Sequence, residues 1–395
     1  MNDLLAIIKE KAALYKAEVI EIRRHLHQNP ELSFQEFNTS KYVCEKLDEY
    51  GIEYESGIVK TGVVGLIKGK HPDRKIIALR ADLDALPILE ENDVTYKSVN
   101  DGVMHACGHD VHTSSLLGAA KILNEVRDQF EGSIKLIFQP GEEKLPGGAS
   151  LMIKEGVLEN PSPEAIIGQH VFPQLEAGKV GFRSGMYMAS CDELYVTIKG
   201  EGGHAALPHQ NIDPILITSH IITALQQLIS RIMPPTVPAV LSFGKIIGNG
   251  ATNIIPDKVE LEGTFRAMNE GWRTIAHNRM KKMAESIAES MGGECDFRIE
   301  KGYPFLVNDE KITNTAKNAA IQFLGKENVI DLDLRMTAED FAYYSQVKPA
   351  CFYRLGVKNK QNPTTGLHTS TFNIDEKAIE TSIGLMSWLA LKELS

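Results

Sequence analysis

Three segments of the sequence place charged or metal-binding side chains where an apolar run stops. Ile76-Ile77-Ala78-Leu79 leads into Arg80-Ala81-Asp82-Leu83-Asp84, Leu136-Ile137-Phe138 into Gln139-Pro140-Gly141-Glu142-Glu143, and Ile166-Ile167-Gly168 into Gln169-His170. Between the first two lies His105-Ala106-Cys107-Gly108-His109-Asp110-Val111-His112, opening a helix. Thiolate, imidazole and carboxylate are the groups that hold divalent transition metals. A single histidine is more often a packed or surface residue, but several ligand types at one sheet edge argue for a site. Glu142 and Glu143 need separate roles, because neighbours on an extended segment point in opposite directions. One carboxylate then ligates while the other faces water as a general base; the plain alternative is a solvated acidic turn.

The surrounding elements decide whether those residues meet. Apolar positions at helical spacing run over residues 4–29 and stop at Asn29-Pro30, and a second helix spans Gln35–Tyr50. Apolar runs at Val63–Ile67, Ile76–Leu79, Ile134–Phe138 and Ala165–Gly168 read as strands, with a helix over His112–Asp128. Such strands alternating with helices predict an α/β fold with a mostly parallel sheet covered on both faces. In open sheets of this kind, ligands bind beyond the carboxyl ends of the strands. From Glu193 the pattern becomes β-α-β-β-α-β: strands Glu193–Lys199, Ala239–Ile247, Lys258–Arg266 and Cys295–Glu300, helices Asp213–Met233 and Trp272–Met291. That is a ferredoxin-like α+β unit. It predicts a discontinuous catalytic domain, residues 1–185 and 301–395, interrupted by an inserted domain at residues 186–300. The first domain resumes with a helix at Asp309–Leu324, strands near Val329–Leu332 and Cys351–Leu355, and a closing helix at Glu376–Leu394.

Composition bounds the function. A chain of 395 residues suits two domains. A formal charge of −10 argues against nucleic acid or an anionic membrane as partner. No uninterrupted apolar run approaches the ~18 residues of a membrane span, and the start, MNDLLAIIKEKAALYK, lacks the pattern of a signal peptide. Five cysteines without a C-x-x-C pair suit a reducing compartment, so a cytoplasmic location is expected. Gly200-Glu201-Gly202-Gly203-His204-Ala205 fits a dinucleotide fingerprint only formally, since Pro208 separates it from the next helix. His25, His27, His105 and His112 read as structural or supporting residues.

Several motifs together carry a family resemblance. Arg23-Arg24-His25-Leu26-His27, Pro30-Glu31-Leu32-Ser33, Arg80-Ala81-Asp82-Leu83-Asp84-Ala85-Leu86-Pro87-Ile88, His105-Ala106-Cys107-Gly108-His109-Asp110, Gln139-Pro140-Gly141-Glu142-Glu143, Gly202-Gly203-His204 and Leu367-His368 occur in order over residues 20–385. They resemble the M20 metallopeptidases, and within them the aminoacylase and amidohydrolase branch.

The resemblance implies two divalent metal ions, zinc or manganese, with cobalt or nickel open. Cys107 would bridge them, and His109, Glu143, His170 and His368 would complete the ligands, with Asp84 orienting a ligand histidine. Glu142 would be the general base, His204 would steady the oxyanion, and Asn253 and Arg266 would hold the substrate carboxylate. The implied reaction is hydrolysis of N-acyl amino acids of N-acetyl or N-benzoyl type. A dipeptidase or an N-acetyl-diaminopimelate-type deacetylase is the alternative within the family. A cysteine hydrolase using Cys107 with His109 or His112, and a binding protein on the same scaffold, are alternatives outside it. The sequence departs from the pattern at Gly141, Thr337 and Ser370, where relatives often carry Ala, Gly and Pro; none of the three is an implied ligand. The inserted domain is expected to act as a lid hinged near Gly185 and Gly302 and to form a homodimer. The strand Ala239–Ile247 would be the exposed edge, and His204 would reach the partner's metal site.

Overall fold

The apolar runs become the middle of an eight-stranded sheet. The structure, a computed structural model, describes residues 2–359 and 365–395. Across the sheet the strands run Glu53–Ile58, Gly62–Lys68, Ser133–Gln139, Ile76–Asp82, Ala165–Glu176, Ala350–Lys358, Val180–Phe182 and Val329–Asp331. The four central strands are mutually parallel, and antiparallel pairs lie to either side. Ser133–Gln139 is buried along its whole length, as is Ile76–Asp82 after its first residue. Continuous burial is what a parallel strand covered on both faces requires, and it explains why these runs do not alternate. Helices Asn2–Gln28, His109–Glu125, Glu310–Leu324 and Ala378–Leu394 share one apolar core with the sheet through Ile8, Leu116, Ala320 and Ile383.

Parallel register aligns the strand ends. Asp82 lies opposite Gln139, Arg80 opposite Gly168, and Arg354 opposite His170. The strand expected to stop at Gly168 instead continues to Glu176. His170 is therefore inside a strand, two residues beyond its last pairing with Ile76–Asp82, and not on the loop that follows. The partner strand Ala350–Lys358 supports it there.

The chain divides into two compact units: residues 1–185, 307–333 and 340–395 form the first, and 186–306 with 334–339 form the second. The second is larger than the expected insert of 186–300. Residues 334–339 join it because Arg335 pairs with Tyr187 and Ala189 through the backbone, a contact between segments almost 150 residues apart that local pattern does not carry.

In the second unit, strands Asp192–Lys199, Ala239–Ile247, Lys258–Ala267 and Glu294–Lys301 form one antiparallel sheet. Ala239–Ile247 and Glu294–Lys301 are its edges. Helices Pro214–Gln227 and Glu270–Ser290 pack on it around Leu194, Ile221, Phe265 and Met280. The first helix with its following turn, Pro214–Ile232, has the length and hydropathy of a membrane span. It nevertheless buries Ile217, Ile221, Leu225 and Leu228 in this core, while Ile215 and Leu216 stand exposed.

Candidate metal centre

Cys107 and His109 flank Gly108, which takes φ +85°. A Cβ there would lie 2.5 Å from Val171 Cγ2, so only glycine lets the loop press against the His170 strand. The loop then enters the helix His109–Glu125. Cys107 Sγ lies 3.4 Å from His170 Nε2 and 3.4 Å from His368 Nε2. His368 Nε2 is 3.3 Å from Glu143 Oε1, and His109 Nε2 is 3.9 Å from Glu143 Oε1 and 3.9 Å from Glu142 Oε2.

These contacts resolve into overlapping triads, each with ligand atoms within 4.8 Å of one another: Cys107 with His109 and His170, Cys107 with Glu143 and His368, and His109 with Glu142 and Glu143. The first two share the Cys107 sulfur. Sequence reasoning separated the two glutamates by alternation along an extended backbone, but residues 142–144 are a bend and both carboxylates come near His109. Their other contacts distinguish them. Glu143 groups with Cys107 and His368, whereas Glu142 Oε1 accepts from the Asp340 backbone N–H at 3.3 Å.

Hydrogen bonds fix which imidazole nitrogens face the cluster. His170 Nδ1–H donates to the Val171 carbonyl and His109 Nδ1–H to the Asp84 carbonyl, both at 2.8 Å, so each turns Nε2 toward the cluster. His112 is committed at both nitrogens. Its Nδ1–H donates to Asp82 Oδ1 at 2.6 Å and its Nε2 accepts from the Val171 backbone at 2.9 Å. The grouping of Asp82, His109 and His112 is thus an internally bonded support and not an open ligand set. Among the described residues, His109 Nε2 and Glu143 Oε1 are buried without a hydrogen-bond partner. Buried polar atoms are rarely left so, and a divalent cation satisfies both together with the soft and nitrogen donors beside them. The residues present therefore fit a metal.

Electrostatics point the same way. Burial, with the Glu143, Glu142 and Asp82 charges, pushes the Cys107 thiol well above its usual range. This is the opposite of an activated cysteine nucleophile, whose thiolate sits in an electropositive setting; only an arriving cation would ionise this thiol. Burial pushes His109 down, but Asp82, Asp84 and Glu143 outweigh it and lift it to about 10. Burial and the Arg354 charge hold His170 well below its usual value, leaving it neutral.

Asp84 beds two members of the cluster at once. Its Oδ1 lies 3.2 Å from His109 Nδ1, and its Oδ2 accepts from the Glu143 backbone at 2.9 Å and from Ser33 Oγ at 2.6 Å. Beneath it, Arg80 donates to Asp82, Gln139 and Asp340, and Asp340 also accepts from Gln139 Nε2 and the Ala149 backbone. On the other side His27 bridges Asp110 and Glu90, and Arg23 joins Asp110 to Asn373. His368 is half exposed, with φ +61°, and its backbone N–H donates to the Ala106 carbonyl at 2.8 Å.

Of the expected site residues, the first unit brings together Cys107, His109, Glu142, Glu143, His170, His368 and Asp84. His204, Asn253 and Arg266 belong to the second unit. His204 and Asn253 are exposed neighbours: Gly203-His204 pairs with Ile254-Ile255, and the Ala205 N–H donates to the Asn253 carbonyl. Arg266 lies on the strand Lys258–Ala267 opposite Val240. Sequence reasoning missed Asp82, Arg80, Gln139 and Asp340 as supports. Asp82 and Asp84, two apart at a strand end, carried a signal; Asp340 carried none.

Comparison with known proteins shows the family. Residues 78–392 match the model of peptidase family M20/M25/M40. The chain belongs to that family. It is 41% identical over 382 residues to an N-acetyl-L-cysteine deacetylase of Bacillus subtilis, covering 96% of this chain and 89% of that one. It is 43% identical over 301 residues to an N-acyl-L-amino acid amidohydrolase of Geobacillus stearothermophilus, covering 76% and 80%. The crystal structure of the Bacillus subtilis protein YXEP, a dinuclear metal-binding peptidase of the M20 family, superposes with a TM-score of 0.83 at 36% identity, covering 97% and 99% of the two chains.

Proposed function

We propose that this family member is a dinuclear metal amidohydrolase that cleaves N-acyl amino acids to a carboxylic acid and a free amino acid. The observation that carries this reading is the pair of triads sharing the Cys107 sulfur, with Glu142 outside both. Cys107, His109 and His170 would hold one ion, and Cys107, Glu143 and His368 the other; the soft thiolate with imidazoles suits zinc, and the carboxylate leaves manganese open. Two such ions supply positive charge that polarises an amide carbonyl and lowers the pKa of water.

Glu142 takes a proton from water and later delivers it to the departing amine, which an amide needs because its nitrogen leaves poorly unprotonated. The Asp340 N–H aims one carboxylate oxygen and leaves the other, Oε2, on the His109 side. His204 would steady the developing oxyanion, and Asn253 and Arg266 would hold the carboxylate of the substrate. The second unit would serve as lid and as homodimer surface, its edge strand Ala239–Ile247 pairing with a second copy and bringing His204 to the partner's ions. Five free thiols support a reducing, cytoplasmic setting.

A panel of N-acetyl, N-benzoyl and longer N-acyl amino acids, with dipeptides as controls and each of zinc, manganese, cobalt and nickel, tests the reading. Hydrolysis of N-acyl amino acids above dipeptides supports it. A clear preference for dipeptides would transfer the assignment to a dipeptidase, and no amide hydrolysis with any metal would overturn it.

A further inference from the structure

A second carboxylate, remote in sequence, is built into the turn that carries Glu142 and Glu143. Glu36 is fully buried, and among the described residues every hydrogen bond to its side chain comes from a neutral donor. Its Oε1 accepts from the Gly141 backbone at 2.8 Å and from the Phe34 backbone at 2.9 Å, and its Oε2 accepts from Thr61 Oγ1 at 2.7 Å. An anion buried among neutral donors is costly, so its presence calls for a reason beyond filling space.

The two backbones it joins are both in the left-handed region, Phe34 at φ +64° and Gly141 at φ +60°. For a phenylalanine that conformation is unfavourable and needs an external hold. The Phe34 ring lies directly on Gly141: a Cβ added at residue 141 would come within 2.4 Å of ring carbons Cε1 and Cζ. The Gly141 carbonyl then closes the turn by accepting from Gly148 at 2.9 Å. The single oxygen Oε1 thus ties together a strained residue, the glycine it packs on, and the start of the Glu142-Glu143 bend.

We propose that Glu36 is a positioning residue for the two glutamates, locking Phe34 onto Gly141 so that Glu142 and Glu143 leave the turn in fixed directions. This rests on the reading of Glu142 as general base and Glu143 as metal ligand. Asp84 holds the same turn from its far end through the Glu143 N–H, so the bend is pinned at residues 141 and 143 by two buried carboxylates.

The test measures kcat, KM and divalent-metal affinity, the last by competition with a chromophoric chelator, on wild-type and variant protein. Glu36→Ala is expected to lower kcat ~10–100-fold with KM little changed and to weaken one of two bound ions ~10-fold or more through Glu143. Glu36→Gln is expected to recover most of both losses, because its amide oxygen still accepts from both N–H groups and its amide nitrogen can donate to Thr61. Phe34→Ala, which removes the ring that Glu36 holds on Gly141, is expected to reproduce part of the loss; this variant carries the test if Glu36→Ala does not fold. Glu36→Ala or Phe34→Ala matching wild type in both kcat and metal affinity overturns the proposal. Wild-type protein that binds no metal or hydrolyses no amide overturns the reading of the site itself, which the same series distinguishes.

Discussion

The Cys107 cluster and the Gly203-His204 segment are built in contrasting ways. In the first unit nearly every candidate side chain is buried and held by partners far away in sequence. Asp84, 25 residues from His109 and 59 from Glu143, bonds to both; Glu36 reaches Gly141 across 105 positions. In the second unit His204 stands exposed on a two-residue strand and Asn253 exposed beside the strand that pairs with it, and His204 Nδ1 accepts from the backbone N–H of Ala206, two residues on. Chemistry that depends on tenths of an ångström is bedded in a parallel sheet, where strand ends in register cannot move independently. A group that meets substrate after binding can stand on a lightly held segment and still act. The contrast predicts that damage to the ligands and their supports in the first region disturbs metal and geometry, whereas damage to the second leaves metal alone.

The largest expected effect is at Glu142. Glu142→Ala should lower turnover ~10²–10⁴-fold while the metal content of the purified protein stays near wild type. Glu143→Ala should lose metal, which elemental analysis of the two proteins side by side would separate. Equal metal loss in both would assign Glu142 to the ligand set.

His204→Ala should likewise be nearly inactive with full metal content, which sharpens the comparison. If His204 acts across a homodimer, mixing it with Glu142→Ala under subunit exchange should restore activity, since the mixed dimer holds one site with both residues intact. Verified heterodimers that remain inactive would assign His204 to its own chain.

Asp84→Asn should weaken metal binding ~10–100-fold, because an amide cannot accept from His109, Ser33 and the Glu143 backbone together. Chelator competition gives the number, and unchanged affinity would remove Asp84 from the support.

Much of the first region was legible in the sequence because strand ends and ligand types coincide there. Glu143 and His170 follow apolar runs, Cys107 and His109 open a helix between two of those runs, and the β-α-β-β-α-β order of the second unit follows from spacing alone. What was not legible depends on contacts between distant segments. Nothing local marks Asp340 as the partner of Arg80 and Gln139, or Glu36 as the partner of Gly141. The strand to Glu176 runs past its apolar stretch because Ala350–Lys358 pairs with it, a fact of register and not of composition. Residues 334–339 joined the second unit for the same reason.

The smallest expected effect concerns pH. Burial and the Asp84 charge lift the Glu36 carboxyl from 4.5 to about 6. The folded protein therefore binds that proton more tightly than the unfolded chain, and the group's contribution to stability is full below pH 4.5 and is lost as pH rises through 6. Glu36→Gln, neutral throughout, should gain relative to wild type over that window by up to about 2 kcal/mol. Denaturant melts at pH 4.5 and 7 check it; a difference independent of pH would mean that Glu36 titrates normally.

The central claim is that the Cys107 sulfur belongs to two ion sites at once. Elemental analysis of protein purified without chelator, run on wild type and Cys107→Ser with amidase assays on the same samples, tests it most directly. The account predicts about two divalent ions per wild-type chain, and a loss of both metal and activity from the single substitution. Wild-type protein that is metal-free and fully active in EDTA, or a Cys107→Ser variant that keeps both ions, would contradict it.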